Sequence, residues 1–168
     1  DEVSLLRVIN VPPRAIGEKT IGELAAWARG LGMSSGAALL HLMRLWEEQG
    51  DLKGAPFTGR AARQLLRFAE LVSDLVAARE EGSLSDLLKR VLDKTAYLNY
   101  LRDGTEEGES RAENVRELFS VTDRYGAMPM DAALPAFLEE VALVADVDEV
   151  DWQSDAVTLL TLHMAKGL

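Results

Sequence analysis

The sequence predicts a mainly α fold: a bundle of about six helices with one β-strand at its C-terminal end. Three observations predict it. Apolar residues return every three or four positions through most of the chain, which is the helical spacing. Ser, Thr, Gly and Pro punctuate that pattern where helices start and stop. Of the 168 residues, 48% are apolar and 27% charged, enough to fill a core without being a membrane composition.

The elements follow in order. From about Glu18, a helix through Lys19 to Arg29 places Ile21, Leu24, Ala25 and Ala28 on one side, and Gly30 and Gly32 stop it. Ser34 or Ser35 caps a second, with Leu39, Leu42, Met43 and Trp46 on a common face and Gly50 at its end. Thr58 opens a longer third helix carrying Leu65, Leu66, Ala69, Val72, Leu75 and Val76, closed by Gly82. Ser83 opens a fourth with a stripe of Leu84, Leu87, Leu88, Val91 and Leu92, which Tyr97, Tyr100 and Leu101 continue. Residues 103–109, DGTEEGE, read as an acidic, flexible loop. A fifth helix, from about Ser110 to Tyr125, turns Val115, Leu118, Phe119 and Thr122 inward. Pro135 suits the first turn of a sixth, Pro135 to Ala145, where its missing N–H is unpaired anyway. Val157 to Leu162, VTLLTL, is β-branched and apolar and reads as a buried strand. A strand must pair within a sheet, and no neighbour is evident. We therefore expect a piece of a larger protein; the start at Asp1 and the end inside MAKGL agree.

Composition excludes several classes. With no cysteine there are no disulfides, thiolate metal sites or cysteine nucleophiles. No apolar run approaches the ~18 residues of a membrane span, and no leader is recognisable, so a cytoplasmic protein with no membrane partner is expected. The net charge of −10 argues at first against a nucleic-acid partner. Its distribution changes that. Residues 1–102 carry 14 basic and 13 acidic side chains, whereas residues 103–168 carry 4 basic and 15 acidic. The near-neutral half can hold a local anion-binding surface.

Catalytic and metal-binding patterns are missing. His41 lies within an apolar helix and reads as a partly buried packing residue, far in sequence from His163. Adjacent acids such as Glu47 and Glu48 point about 100° apart on a helix and suit solvated faces better than acid–base work. No GxxxxGK[ST] phosphate loop occurs. The most informative segment is residues 7–20, RVINVPPRAIGEKT. Pro12 and Pro13 imply an extended entry, Gly17 permits a tight turn, and free N–H groups at the following helix start sit between Arg14 and Lys19. That arrangement suits a phosphate. It also reads as an ordinary Pro/Gly turn before a capped helix.

Three ordered blocks carry a resemblance. SLLRVINVPPRAIGEKT, residues 4–20, resembles the segment that enters the 2B subdomain of superfamily 1 DNA helicases of the UvrD/PcrA/Rep type. SRAENVREL, residues 110–118, resembles that family's R-x-E-N helix, and VTLLTLHMAKGL, residues 157–168, its motif V. The resemblance implies residues 1–10 as the end piece of motor domain 2A, 11–152 as the helical 2B subdomain, and 153–168 as the start of the motif V strand and loop of 2A. The lone strand would then belong to a truncated RecA-like sheet. It implies a duplex-contacting regulatory role in an ATP-dependent 3′-to-5′ helicase and translocase of DNA repair or replication, in a bacterial cytosol or nucleoid. The parent would use ATP and Mg. This piece, with no phosphate loop and no cofactor of its own, would not hydrolyse ATP, and no catalytic residue or metal ligand is assigned to it.

The family's roles carry over by position. Arg14, Ala15, Ile16, Gly17, Lys19 and Thr20 match the G-I-G turn that meets duplex DNA, with Ala15 where the family has glycine. Thr161 and His163 match motif V positions near single-stranded DNA, and Lys166 and Gly167 the loop coupling DNA to nucleotide. Arg111 and Asn114 read as structural, tying the insertion to its motor. Partners would be duplex and single-stranded DNA, the remaining helicase subdomains and repair proteins. A module that passes over every sequence should grip phosphates rather than bases. Few cations imply a shallow salt slope, about two or three released counterions. The alternative is a helical interaction module whose acidic C-terminal half docks a basic partner.

Overall fold

The computed structural model describes residues 2–148. Within them lie eight helices and no strand: α1 Glu2–Val8, α2 Glu18–Gly30, α3 Ser35–Gln49, α4 Gly59–Glu81, α5 Leu84–Thr95, α6 Tyr97–Leu101, α7 Glu106–Asp123 and α8 Met130–Asp148. The chain is mainly α, as its periodicity predicts. The expected strand at 157–162, and with it Thr161, His163, Lys166 and Gly167, falls outside the described residues. No helix among the described residues is long and apolar enough to cross a membrane.

Caps set most boundaries. Ser34, not Ser35, caps α3 by accepting from the Ala37 N–H at 3.2 Å, while Ser35 is buried. Gly50 ends that helix in the left-handed conformation, at φ 69°. Ser83 and Asp86 form a reciprocal capping box at the start of α5.

Two expectations about boundaries need correction. The acidic 103–109 segment is largely helix, because Thr105 caps α7 by accepting from the Gly108 N–H at 3.0 Å. Glu106, Glu107 and Glu109 then occupy the first turn, where the helix dipole favours carboxylates. Gly108 is needed there: a Cβ would collide with the Asp103 carboxylate and the Leu101 carbonyl. α8 starts five residues earlier than expected, so Pro135 lies inside it.

The helices fill two cores. Ile9, Ile16, Leu24, Ala28, Leu39, Leu42, Phe57, Leu65 and Phe68 form the larger, between α2, α3 and α4 and the chain on either side of them. Leu84, Ala133 and Phe137 form a smaller one where α5 meets α8, with Val121 and Tyr125 against it. Trp46 and Val76, expected to face inward, are instead 47% and 52% exposed. Val76 sits at the mouth of a groove between α3 and α4 that Leu40 and Met43 also line. His41 packs as expected, stacked on Trp27 with ring centroids 5.7 Å apart.

Candidate nucleic-acid interface

Residues 9–17 form a turn strapped down at both ends. Ile9 and Ile16 are buried in the larger core, at 1% and 2% exposure. Between them the backbone is bent rather than extended, and the Val11–Pro12 bond is cis. Asn10 ties the strap together. Its amide Nδ2 donates to the Ile16 carbonyl at 2.6 Å, and its Oδ1 accepts from the N–H groups of Ile16 at 3.2 Å and Arg14 at 3.4 Å. Apolar spacing and charge do not mark Asn10, although Asn two residues ahead of Pro12 is a turn former with a mechanism.

Arg14 braces the same turn from behind. Its Nη1 donates to the carbonyls of Val8 at 2.8 Å, Ile9 at 3.1 Å and Val11 at 3.2 Å, at and just beyond the end of α1. The guanidinium carbon lies 5.0 Å from the centre of the Phe68 ring on α4. Partial burial lowers the pKa of Arg14, though an arginine stays charged throughout the physiological range. One cation thus joins α1, the turn and α4.

The outer surface of the turn is different in character. Ala15 and Gly17 are exposed, and so is Lys19, which lies 3.8 Å from Glu23. Thr20 is half-buried. The left-handed residue is Ala15, at φ 56°, not Gly17, which is extended at φ −72° and ψ 159°. Gly17 is the N-cap of α2 and brings no side-chain oxygen, so the first-turn N–H groups have no side-chain cap. The result is a helix start carrying partial positive charge, beside an exposed Lys19, on a turn with little freedom to move. Glu18 is the acid of that first turn, and Glu23 follows one turn on beside Lys19.

The other site residues lie apart from the turn. Arg111 pairs with Asp103 at 3.3 Å and Glu107 at 3.8 Å, on the exposed side of α7. Asn114, one turn further on, is exposed. Among the described residues no group of His, Asp or Glu is placed to hold a metal ion.

Comparison with known proteins identifies the family. Residues 1–168 match the family described as UvrD-like helicase C-terminal domain. The chain is 34% identical over 175 residues to the ATP-dependent DNA helicase PcrA of Bacillus subtilis. It is 34% identical over 171 residues to the protein of that name in Staphylococcus epidermidis, and 32% identical over 171 residues to that of Staphylococcus aureus strain Mu50. Each match covers all of this chain and 22% of the relative, so the chain spans about a fifth of the length of these curated proteins. With a family match along its whole length, the chain belongs to the UvrD-like helicase C-terminal domain family.

Proposed function

We propose that the chain is the duplex-contacting 2B subdomain, with short flanks of motor domain 2A, of an ATP-dependent 3′-to-5′ DNA helicase acting in repair or replication. Its relatives' description as ATP-dependent DNA helicases supports the parent activity. ATP and Mg would be held by the rest of that parent. The observation that carries the duplex role is the braced turn: Asn10 and Arg14 hold it from within, and the side-chain-uncapped start of α2 faces solvent next to Lys19. In this reading Ala15, Gly17, Lys19 and Thr20 present N–H groups and charge to a phosphate, while Arg14 and Ile16 support them. The contact ignores base identity, as a moving grip must. Thr161 and His163 would meet the single strand and Lys166 and Gly167 would couple it to nucleotide. Arg111 and Asn114 would face the motor.

Gly17→Asp tests the duplex role with opposed signs. The N-cap backbone is extended and nothing lies within 4 Å of a Cβ there, so the side chain fits. A carboxylate at this N-cap should stabilise α2 by about 0.3 kcal/mol relative to glycine, yet repel a phosphate. We expect binding of forked duplex by the full-length helicase to fall about tenfold or more, with the melting temperature unchanged or raised. Unchanged affinity would remove the turn from the interface.

The acidic first turn of α7 fits a docking role less well. Glu107 and Glu109 pair with Arg111 and Arg102 and, with Glu106, answer the dipole of α7. Local structure already accounts for them.

A further inference from the structure

We propose a second contact with the duplex backbone, a stripe of three arginines on the outer face of α4: Arg60, Arg63 and Arg67. The proposal rests on the duplex-contacting role argued above and extends it to residues outside the turn. α4 turns Ala62, Leu65, Phe68 and Ala69 into the core, and the three arginines, at three- and four-residue spacing, share the opposite, solvent-exposed side. Among the described residues none of the three has a carboxylate within ion-pair distance, although the chain carries ten more acids than bases. Arg7, Arg29, Arg44, Arg79 and Lys89 also lack an ion pair among the described residues, but they are scattered one to a helix over α1 to α5, whereas these three form a row. The first turn of α4 has no acid, and Thr58 makes no side-chain cap there.

This arrangement opposes the helix on two counts. Like charges at these spacings repel each other, and cations near a helix N-terminus work against its dipole. A polyanion lying along the stripe reverses both effects. Guanidinium groups suit phosphodiester oxygens because they offer two parallel donors. Arg60 to Arg67 spans about 10 Å of helix, comparable to about three phosphate steps of one strand along a duplex axis. The stripe also ends one residue before Phe68, whose ring carries Arg14 and so joins it to the turn. Glu70, exposed one turn beyond Arg67, marks the end of the basic segment, and Asp74 after it is occupied by Arg90 and Lys94.

The test is duplex affinity measured across a salt series, using the full-length protein. Each lost phosphate contact should flatten the log–log slope by about 0.9. Replacing all three arginines with alanine should therefore reduce the slope by about 2 to 3 and weaken binding tenfold or more, equally for unrelated sequences. Arg63→Gln alone should take about a third of that slope change, and lysine at all three positions should keep most of it. Since the side chains are exposed and their mutual repulsion is relieved, the melting temperature of the alanine triple should hold or rise. An alanine triple that binds like the wild type, beside a weakened Gly17→Asp, would overturn the stripe and leave the turn standing. The reverse result would support the stripe and remove the turn, and two unchanged variants would overturn both.

Discussion

Ala15, like Ala96, is an alanine whose chemistry and conformation disagree. Its φ of 56° places an L side chain in the left-handed region, where Cβ crowds the following carbonyl. The family resemblance expects glycine here, and the backbone shows why: the strap from Ile9 to Ile16 reverses direction at this point, and Asn10 and Arg14 hold it reversed. Ala15→Gly should relieve the crowding while adding freedom to the unfolded chain, for a net gain of up to about 1 kcal/mol. For a chain of this size that is a rise of about 2–4 °C in melting temperature. A drop would mean that Ala15 is not strained. The burial of Ile9 and Ile16 was not legible, since Val8 and Val11 in the same segment are as apolar and yet exposed. That Arg14 is a brace was not legible, since a cation beside a helix start looks the same in sequence whichever way it points.

At the scale of elements, charge decides how α4 meets α5. Arg90 donates to Asp74 from Nε at 3.0 Å and from Nη2 at 2.5 Å, and Lys94 stands 3.5 Å from the same carboxylate. The hydrogen bonds from Arg90 are the main cause that holds the Asp74 pKa down to about 2, and the charges of Arg90 and Lys94 add to it. A carboxylate depressed in the folded state stabilises it above the unfolded pKa, about 3.9. That contribution is lost as pH falls through the folded value. Asp74→Asn should therefore lower the urea midpoint at neutral pH, and its gap from the wild type should close between about pH 4 and pH 2. A gap that persists at pH 2 would rule out the ion pair as its source. The same logic explains the misread 103–109 segment. A run of acids with two glycines looks like a loop in isolation, but Asp103 accepts from Thr105, Thr105 caps α7, and the acids then sit at the end of a helix that attracts them. The early start of α8 was hidden for a related reason: Pro135 marks a helix start locally, but the Met130–Ala133 turn is helical and Ala133 is buried in the smaller core.

Across the whole molecule, the two cores separate the candidate functions. The larger core carries the turn and the arginine stripe; the smaller gathers α5 and α8, with acidic α7 alongside. Tyr125 and Arg124 both hold Glu140, which lowers that carboxylate's pKa through the tyrosine hydrogen bond first. Phe137→Ala should cost about 3–5 kcal/mol. It should raise amide exchange in α7 and α8 well before α2 and α3, because the smaller core has few buried residues to share the loss. Uniform loss of protection would show one cooperative unit instead. The sequence by itself determined the helical class, the starts of α2 to α5, most of the residues on their packed faces, and the segment to inspect for phosphate binding. Those depend on spacing and on side chains acting within a turn or two of the backbone. Only the tertiary structure decided that Asn10 and Arg14 lock the turn, that Ala15 bears the left-handed strain, and that three arginines of α4 face solvent unpaired. The brace at Arg14 needs Phe68 far along the chain, and the three arginines stay unpaired because no distant carboxylate among the described residues folds against them. The Asn10 bonds are local but leave no mark on apolar periodicity.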